Sequence, residues 1–167
     1  MNETLKIKVK RLTETAKMPT KAHETDACFD LYCDMPDAHF GTFVEDGAKV
    51  KQVVEMGVRL NPHESAVLNT GITTEIPVGY FCPVFSRSGM GFKQGLRLAN
   101  SVGVIDADYR GEWMVKLVND SDKIQVVHHG DKIAQFTILP VYQCDLVEVD
   151  ELSSTERGEG GFGSSGK

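Results

Sequence analysis

Apolar residues in this chain recur at a period of two, and that alternation constrains its fold more than any other feature. Leu5-Lys6-Ile7-Lys8-Val9-Lys10 alternates apolar and basic side chains, as a strand with one face in a core and the other in water does. Residues 58–60, 66–68, 71–76, 81–85, 113–118, 124–127, 133–139 and 146–149 read as further strands. Asn61-Pro62, Pro77-Val78-Gly79, Asn119-Asp120-Ser121 and Gly130-Asp131 part them as turns. Many short strands at close spacing predict an all-β, jelly-roll, barrel-like subunit. One stretch, 88–94, reads as a helix, with Ser88 as its cap and Gly95 as its stop. Gly89 and Gly91 each cost about 1 kcal/mol there relative to alanine, so the helix has to be short and held by its surroundings.

The length of 167 residues predicts one domain, and a hydrophobic content of 41% suffices for a core. No apolar run approaches the ~18 residues of a membrane span. The opening MNETLKIKVKRL lacks a signal-peptide pattern, so the expectation is a soluble cytoplasmic protein that engages no membrane. Cys28, Cys33, Cys82 and Cys144 form no CxxC pair, and such scattered cysteines read as reduced thiols. A net charge of −6 excludes a broad nucleic-acid surface and predicts no stable nucleic-acid binding. It leaves room for a small anionic ligand, since two or three cations suffice locally.

Five stretches carry chemistry. Phe85-Ser86-Arg87-Ser88-Gly89 leaves a strand and enters the short helix; two hydroxyls, a guanidinium and free backbone N–H groups suit phosphate, and would equally suit a capped turn. From Asn100 to Gly111, two acids and a tyrosine follow apolar residues around Gly103. A carboxylate at a hairpin tip beside an aromatic ring can orient a water and wall a pocket, although Asp also forms ordinary turns. Gly130-Asp131-Lys132-Ile133-Ala134-Gln135 sets one amide among apolar neighbours, and Asp30 stands alone between Phe29 and Leu31. The tail from Arg157 to Lys167 is rich in glycine yet holds one arginine and one phenylalanine, residues that a plain linker does not need.

In this order FDLY, SRSGMG, GVIDADYRGE, GDKIAQF and RGEGGFGSSG resemble the trimeric dUTPases over nearly the whole chain. Cys28 departs from the family's usual glycine, and the segment 36–56 is longer than the usual link. Glu45-Asp46-Gly47 and the stretch 50–53 within it suggest an extra hairpin or surface excursion. The resemblance implies a jelly-roll domain over 1–156 with a flexible lid over 157–167. It implies a homotrimer with active sites at subunit interfaces, which hydrolyses dUTP to dUMP and pyrophosphate, keeping uracil out of DNA and supplying dUMP. Mg²⁺ would arrive on the triphosphate.

By the same resemblance Asp106 is the base that activates water for attack on the α-phosphorus. Ser86, Arg87, Ser88, Gly89 and Gln135 hold phosphate oxygens, and Asp30 contacts the metal through its water shell. Asn100, Gly103, Val104, Ile105 and Tyr109 read the uracil and the sugar, Tyr109 leaving no room for a ribose 2′-OH. Arg157, Phe162, Gly163 and Ser164 close over the nucleotide, the arginine on the terminal phosphate and the phenylalanine on the base. Two other readings use the same scaffold. One is a dCTP-deaminase-like enzyme, which ammonia release would reveal. The other is a regulatory protein that binds a partner, which the 36–56 excursion alone invites.

Overall fold

The structure, a computed structural model, describes residues 4–35, 42–45, 48–51 and 57–161. In chain order the strands are β1 (Lys8–Arg11), β2 (Phe29–Tyr32), β3 (Thr42–Glu45), β4 (Ala48–Lys51), β5 (Gly57–Leu60), β6 (Ser65–Asn69) and β7 (Ile72–Glu75). After β8 (Tyr80–Phe85) comes the helix α1 (Ser88–Gln94). The chain continues through β9 (Leu96–Leu98), β10 (Val102–Ile105), β11 (Met114–Asn119), β12 (Gln125–His128), β13 (Lys132–Phe136) and β14 (Leu139–Pro140).

The alternation sorts these strands into two principal sheets. One runs β10-β8-β13-β2, with β14 also on β8; the other runs β4-β3-β6-β11-β9. The pairs β1-β7 and β12-β5 complete an all-β, jelly-roll architecture. Inward residues of both large sheets, among them Leu31, Leu68, Val84, Leu98, Leu117 and Ile133, form one core around the fully buried Trp113. Trp113 meets the Phe136 ring edge-on at 4.9 Å, and Phe136 stacks on Phe29 at 5.5 Å. Such pairs add to the burial of their area. Asn119, wholly buried at the end of β11, donates through Nδ2 to the carbonyls of Leu60, Asn61 and Lys123 at 2.8–3.1 Å and so ties the β5–β6 and β11–β12 turns together.

The structure corrects several sequence expectations. β2 and β10 form within motifs and β9 between two of them, none read as a strand from the sequence, because what makes them strands is pairing with β13, β8 and β11. Residues 146–149 form no strand: Leu146 and Val147 are exposed and pair with none of the described strands. The helix is capped by Arg87, with φ −90° and ψ 135°, and Ser88 is its first residue; no side chain caps it. Gly95 does end it, at φ 69°. Within the long excursion β3 and β4 pair antiparallel, Glu45 opposite Ala48, and β3 continues onto β6. The excursion therefore widens a sheet, with its turn at 46–47 outside the described residues. All four cysteines are free thiols.

Candidate active site

Cross-strand register assembles the first part of the site. Asp30 lies opposite Gln135, Gln135 opposite Phe85, and Phe85 opposite Val102, which makes one row across four strands. The adjacent row, Phe29-Phe136-Val84-Gly103, belongs to the core face. Alternation along the strands therefore turns Asp30 and Gln135 to the same side of the sheet, where the Ser86–Gly89 loop leaves β8.

There Asp30 is a junction. Its Oδ1 accepts from Arg87 Nε at 2.8 Å and its Oδ2 from Lys132 Nζ at 2.7 Å. Arg87 also donates through Nη1 to the Lys132 carbonyl at 3.4 Å. The hydrogen bond to Asp30 pushes the Lys132 ammonium above its ordinary pKa, so it remains a cation through the neutral range. Two cations and one anion leave a net positive charge beside an open pocket of about 430 Å³ lined by Tyr32, Arg87, Gly89, Lys93, Asp131 and Lys132. Gln135 Nε2 donates to the Ser86 carbonyl at 3.0 Å, and Ser86 Oγ accepts from Leu98 N–H at 2.9 Å. The loop is thereby fixed from two sides. Ser88 is exposed, and a β-carbon on Gly89 would meet no protein atom within 4 Å. Backbone that the protein itself leaves uncrowded is open to close approach by a ligand.

The second part lies between β10 and β11. A pocket of about 390 Å³ there is walled by Leu98, Asn100, Gly103, Ile105, Trp113 and Val115, with Val104 also on its lining. Gly103 keeps β10 against β8, since a β-carbon would come 3.2 Å from Cβ of Val84. The sequence suggested a hairpin here, but β10 pairs with β8 and β11 with β6 and β9, so Asp106 and Tyr109 lie, both exposed, in a loop that crosses from one large sheet to the other. Ile105 pairs with Cys82, so Asp106 stands level with Phe81. Ser86 lies about five residues further along β8, roughly 16 Å away at the rise of a strand. The single chain thus brings Asp30, Ser86, Arg87 and Gln135 together and holds Asp106 apart from them.

Arg157 lies on an exposed arm, where its Nε donates to the Gly160 carbonyl at 2.8 Å across a turn with Gly158 at φ 51°. Phe162, Gly163 and Ser164 lie outside the described residues. Sequence reasoning missed Lys132 as the second cation on Asp30. Its only signal was a position three residues before Gln135 in the same stretch.

Among the described residues no group of three or more His, Cys, Asp or Glu side chains could hold a metal. Asp30, the one acid in the phosphate pocket's junction, has both oxygens engaged by cations. A carboxylate so engaged fits a magnesium ion met through its waters rather than by direct ligation. No helix among the described residues is long and apolar enough to cross a membrane.

A surface with a cationic phosphate pocket and a separate base-sized pocket suits a nucleoside polyphosphate, and the class it points to is the all-β nucleotide hydrolases. The dUTPase family profile matches residues 52–166. A deoxyuridine 5′-triphosphate nucleotidohydrolase of Hydrogenobaculum is 39% identical over 97% of this chain and 99% of its own length. One from Syntrophotalea carbinolica is 41% identical over 98% and 99%. Among solved structures, a Staphylococcus bacteriophage 80alpha dUTPase variant with dUpNHpp is 30% identical, has a TM-score of 0.78, and is matched over 98% of this chain and 100% of that one. A phage phi11 dUTPase variant, 26% identical at a TM-score of 0.71 over 90% of this chain and 100% of that one, is described with a structural Mg(II) ion. The chain belongs to the dUTPase family. Its enzymatic class is that of the dUTP diphosphatases.

Proposed function

We propose that a homotrimer of this chain hydrolyses dUTP to dUMP and pyrophosphate in sites that each draw on more than one subunit. The observation that carries this reading is the separation, along β8, of Asp106 from the pocket lined by Arg87, Gly89 and Lys132. A general base works only within hydrogen-bond reach of the water it deprotonates. With phosphates on the Ser86–Gly89 loop, Asp106 of the same chain is too far away, and a second copy has to supply it. Exposed Leu146, Val147 and Leu152 on the C-terminal arm support the same conclusion, as apolar surface that a second chain can bury.

In such a site Ser86, Arg87, Ser88, Gly89 and Gln135 hold the phosphate oxygens, and Asp106 of a neighbouring chain orients a water in line with the α-phosphorus and takes its proton. Reactions of this type depend on positioning and charge neutralisation. Arg87 arrives pre-aimed, its Nε already held by Asp30. Magnesium on the triphosphate spreads the phosphate charge, and Asp30 faces its hydration shell. The uracil enters the pocket between β10 and β11, where Asn100 and the backbone of Gly103, Val104 and Ile105 read its polar edge. A base that leaves these groups unpaired is strongly rejected. Tyr109 lies against the sugar, and the tail carries Arg157 to the terminal phosphate and Phe162 to the base as a lid.

The test is complementation. Asp106→Asn and Arg87→Ala chains, each inactive alone, are unfolded and refolded together. Shared sites predict recovery of about a quarter of wild-type activity, because random assembly gives that share of sites an intact residue from each chain. Mixtures that remain inactive while forming mixed trimers would refute the shared site.

A further inference from the structure

The ring of Tyr109 is seated although it is 39% exposed. Its Oη donates to the backbone carbonyl of Glu112 at 2.9 Å. The ring covers Gly111 so closely that a β-carbon there would stand within 3.0 Å of Oη, Cζ and Cε2. Gly111 is not in the left-handed region of backbone space. Glycine is needed there by the ring above it rather than by the turn.

Glu112 is fixed in its turn from the other large sheet. Its Oε1 accepts from Gly71 N–H at 2.8 Å and its Oε2 from Asn69 Nδ2 at 2.9 Å. Asn69 ends β6 and Gly71 stands just before β7, so the turn between those strands holds the end of the β10–β11 loop. Thr73 Oγ1 adds a bond to the Arg110 carbonyl at 2.9 Å, and Arg110 reaches back through Nη1 to the Ala107 carbonyl at 2.7 Å.

We propose that Gly111 and Glu112 are positioning residues for sugar selection: with the β6–β7 turn they lock the Tyr109 ring in place, and this lock sets the discrimination against ribonucleotides. The inference rests on Tyr109 being the wall against the 2′-OH. A wall excludes a hydroxyl only if it does not yield. A surface tyrosine free to change rotamer moves aside at small cost, whereas one bonded through Oη and seated on a glycine has to break that bond first.

The experiment measures kcat/KM for dUTP and for UTP and takes their ratio in Tyr109→Ala, Tyr109→Phe, Gly111→Ala and Glu112→Ala. Tyr109→Phe removes one oxygen and keeps the ring, and its ratio is expected to fall about two- to tenfold, the worth of one hydrogen bond. Gly111→Ala and Glu112→Ala are expected to lower the ratio further. In a Tyr109→Ala background neither is expected to change it again, because residues acting through one shared group are not additive. A merely structural role would lower both nucleotides alike and leave the ratio standing. If Tyr109→Ala lowers the ratio while Tyr109→Phe, Gly111→Ala and Glu112→Ala do not, the lock is overturned and the sugar wall survives. If Tyr109→Ala itself leaves the ratio unchanged, the sugar reading fails and takes the lock with it. Should Gly111→Ala not fold, Tyr109→Phe and Glu112→Ala decide the matter.

Discussion

At Asp30 one carboxylate meets two cations, and with a side chain only 12% exposed it cannot hand either of them to water. Neutralising it leaves Arg87 and Lys132, both only partly exposed, as neighbouring like charges with no counterion between them. Asp30→Asn is therefore expected to raise KM for dUTP, by releasing Arg87 from its fixed orientation, and to lower the melting temperature as well. An unchanged KM would show that Arg87 needs no clamp. Asp106 gives the opposite pattern, being exposed. Asp106→Asn keeps the shape but cannot accept a proton, so turnover is expected to fall roughly 10²–10⁴-fold, with assembly and dUTP binding retained. Single-turnover kinetics alongside equilibrium binding separates the two effects. Near wild-type turnover in that variant would remove Asp106 from the chemistry.

Among the elements, the C-terminal arm departs furthest from its sequence pattern. Leu146-Val147-Glu148-Val149 has strand composition, yet strands are made by partners, and it pairs with none of the described strands. The arm buries little of itself. Deleting 157–167 is accordingly expected to leave the melting temperature nearly unchanged, while kcat/KM for dUTP falls sharply because closure supplies a cation and excludes water. Arg157→Ala alone is expected to cost on the order of 1.5–3 kcal/mol, the range for a hydrogen bond to a charged group. A truncated enzyme with full kcat/KM would show that the arm has no part in the reaction.

For the molecule as a whole, the two buried thiols make alkali the sensitive direction. Burial pushes Cys33 up to about 12 and Cys82 up to about 11, both from an ordinary 9.0. An unfolded chain ionises these groups first as the pH rises, so it binds fewer protons than the folded one. Their stabilising contribution is complete below pH 9.0 and is lost as the pH climbs through about 11 and then about 12. Urea midpoints are expected to fall across that window, and less steeply in a Cys33→Ala, Cys82→Ala variant. At pH 8 a thiol reagent should reach the exposed Cys144 first and the half-buried Cys28 slowly, with Cys33 and Cys82 silent until unfolding. A midpoint that stays flat through that window would separate these thiols from alkaline stability.

What the sequence determined by itself was local. Period-two alternation announced the longer strands, turn residues parted them, Gly95 ended the helix, and the ordered motifs identified the family, because these signals lie within a few neighbouring residues. Strands β2 and β9 were not legible, since pairing with β13 and β11 is what makes them strands. The tertiary structure decided everything that depends on a partner distant in sequence. It set Lys132 on Asp30, although 102 positions separate them in the numbering. It brought the β6–β7 turn against Glu112, and left residues 146–149 without a strand to join. It also carried Asp106 to the far end of β8 from Arg87, because antiparallel register fixes which residues lie level, and register is a property of two strands that neither strand's sequence contains alone.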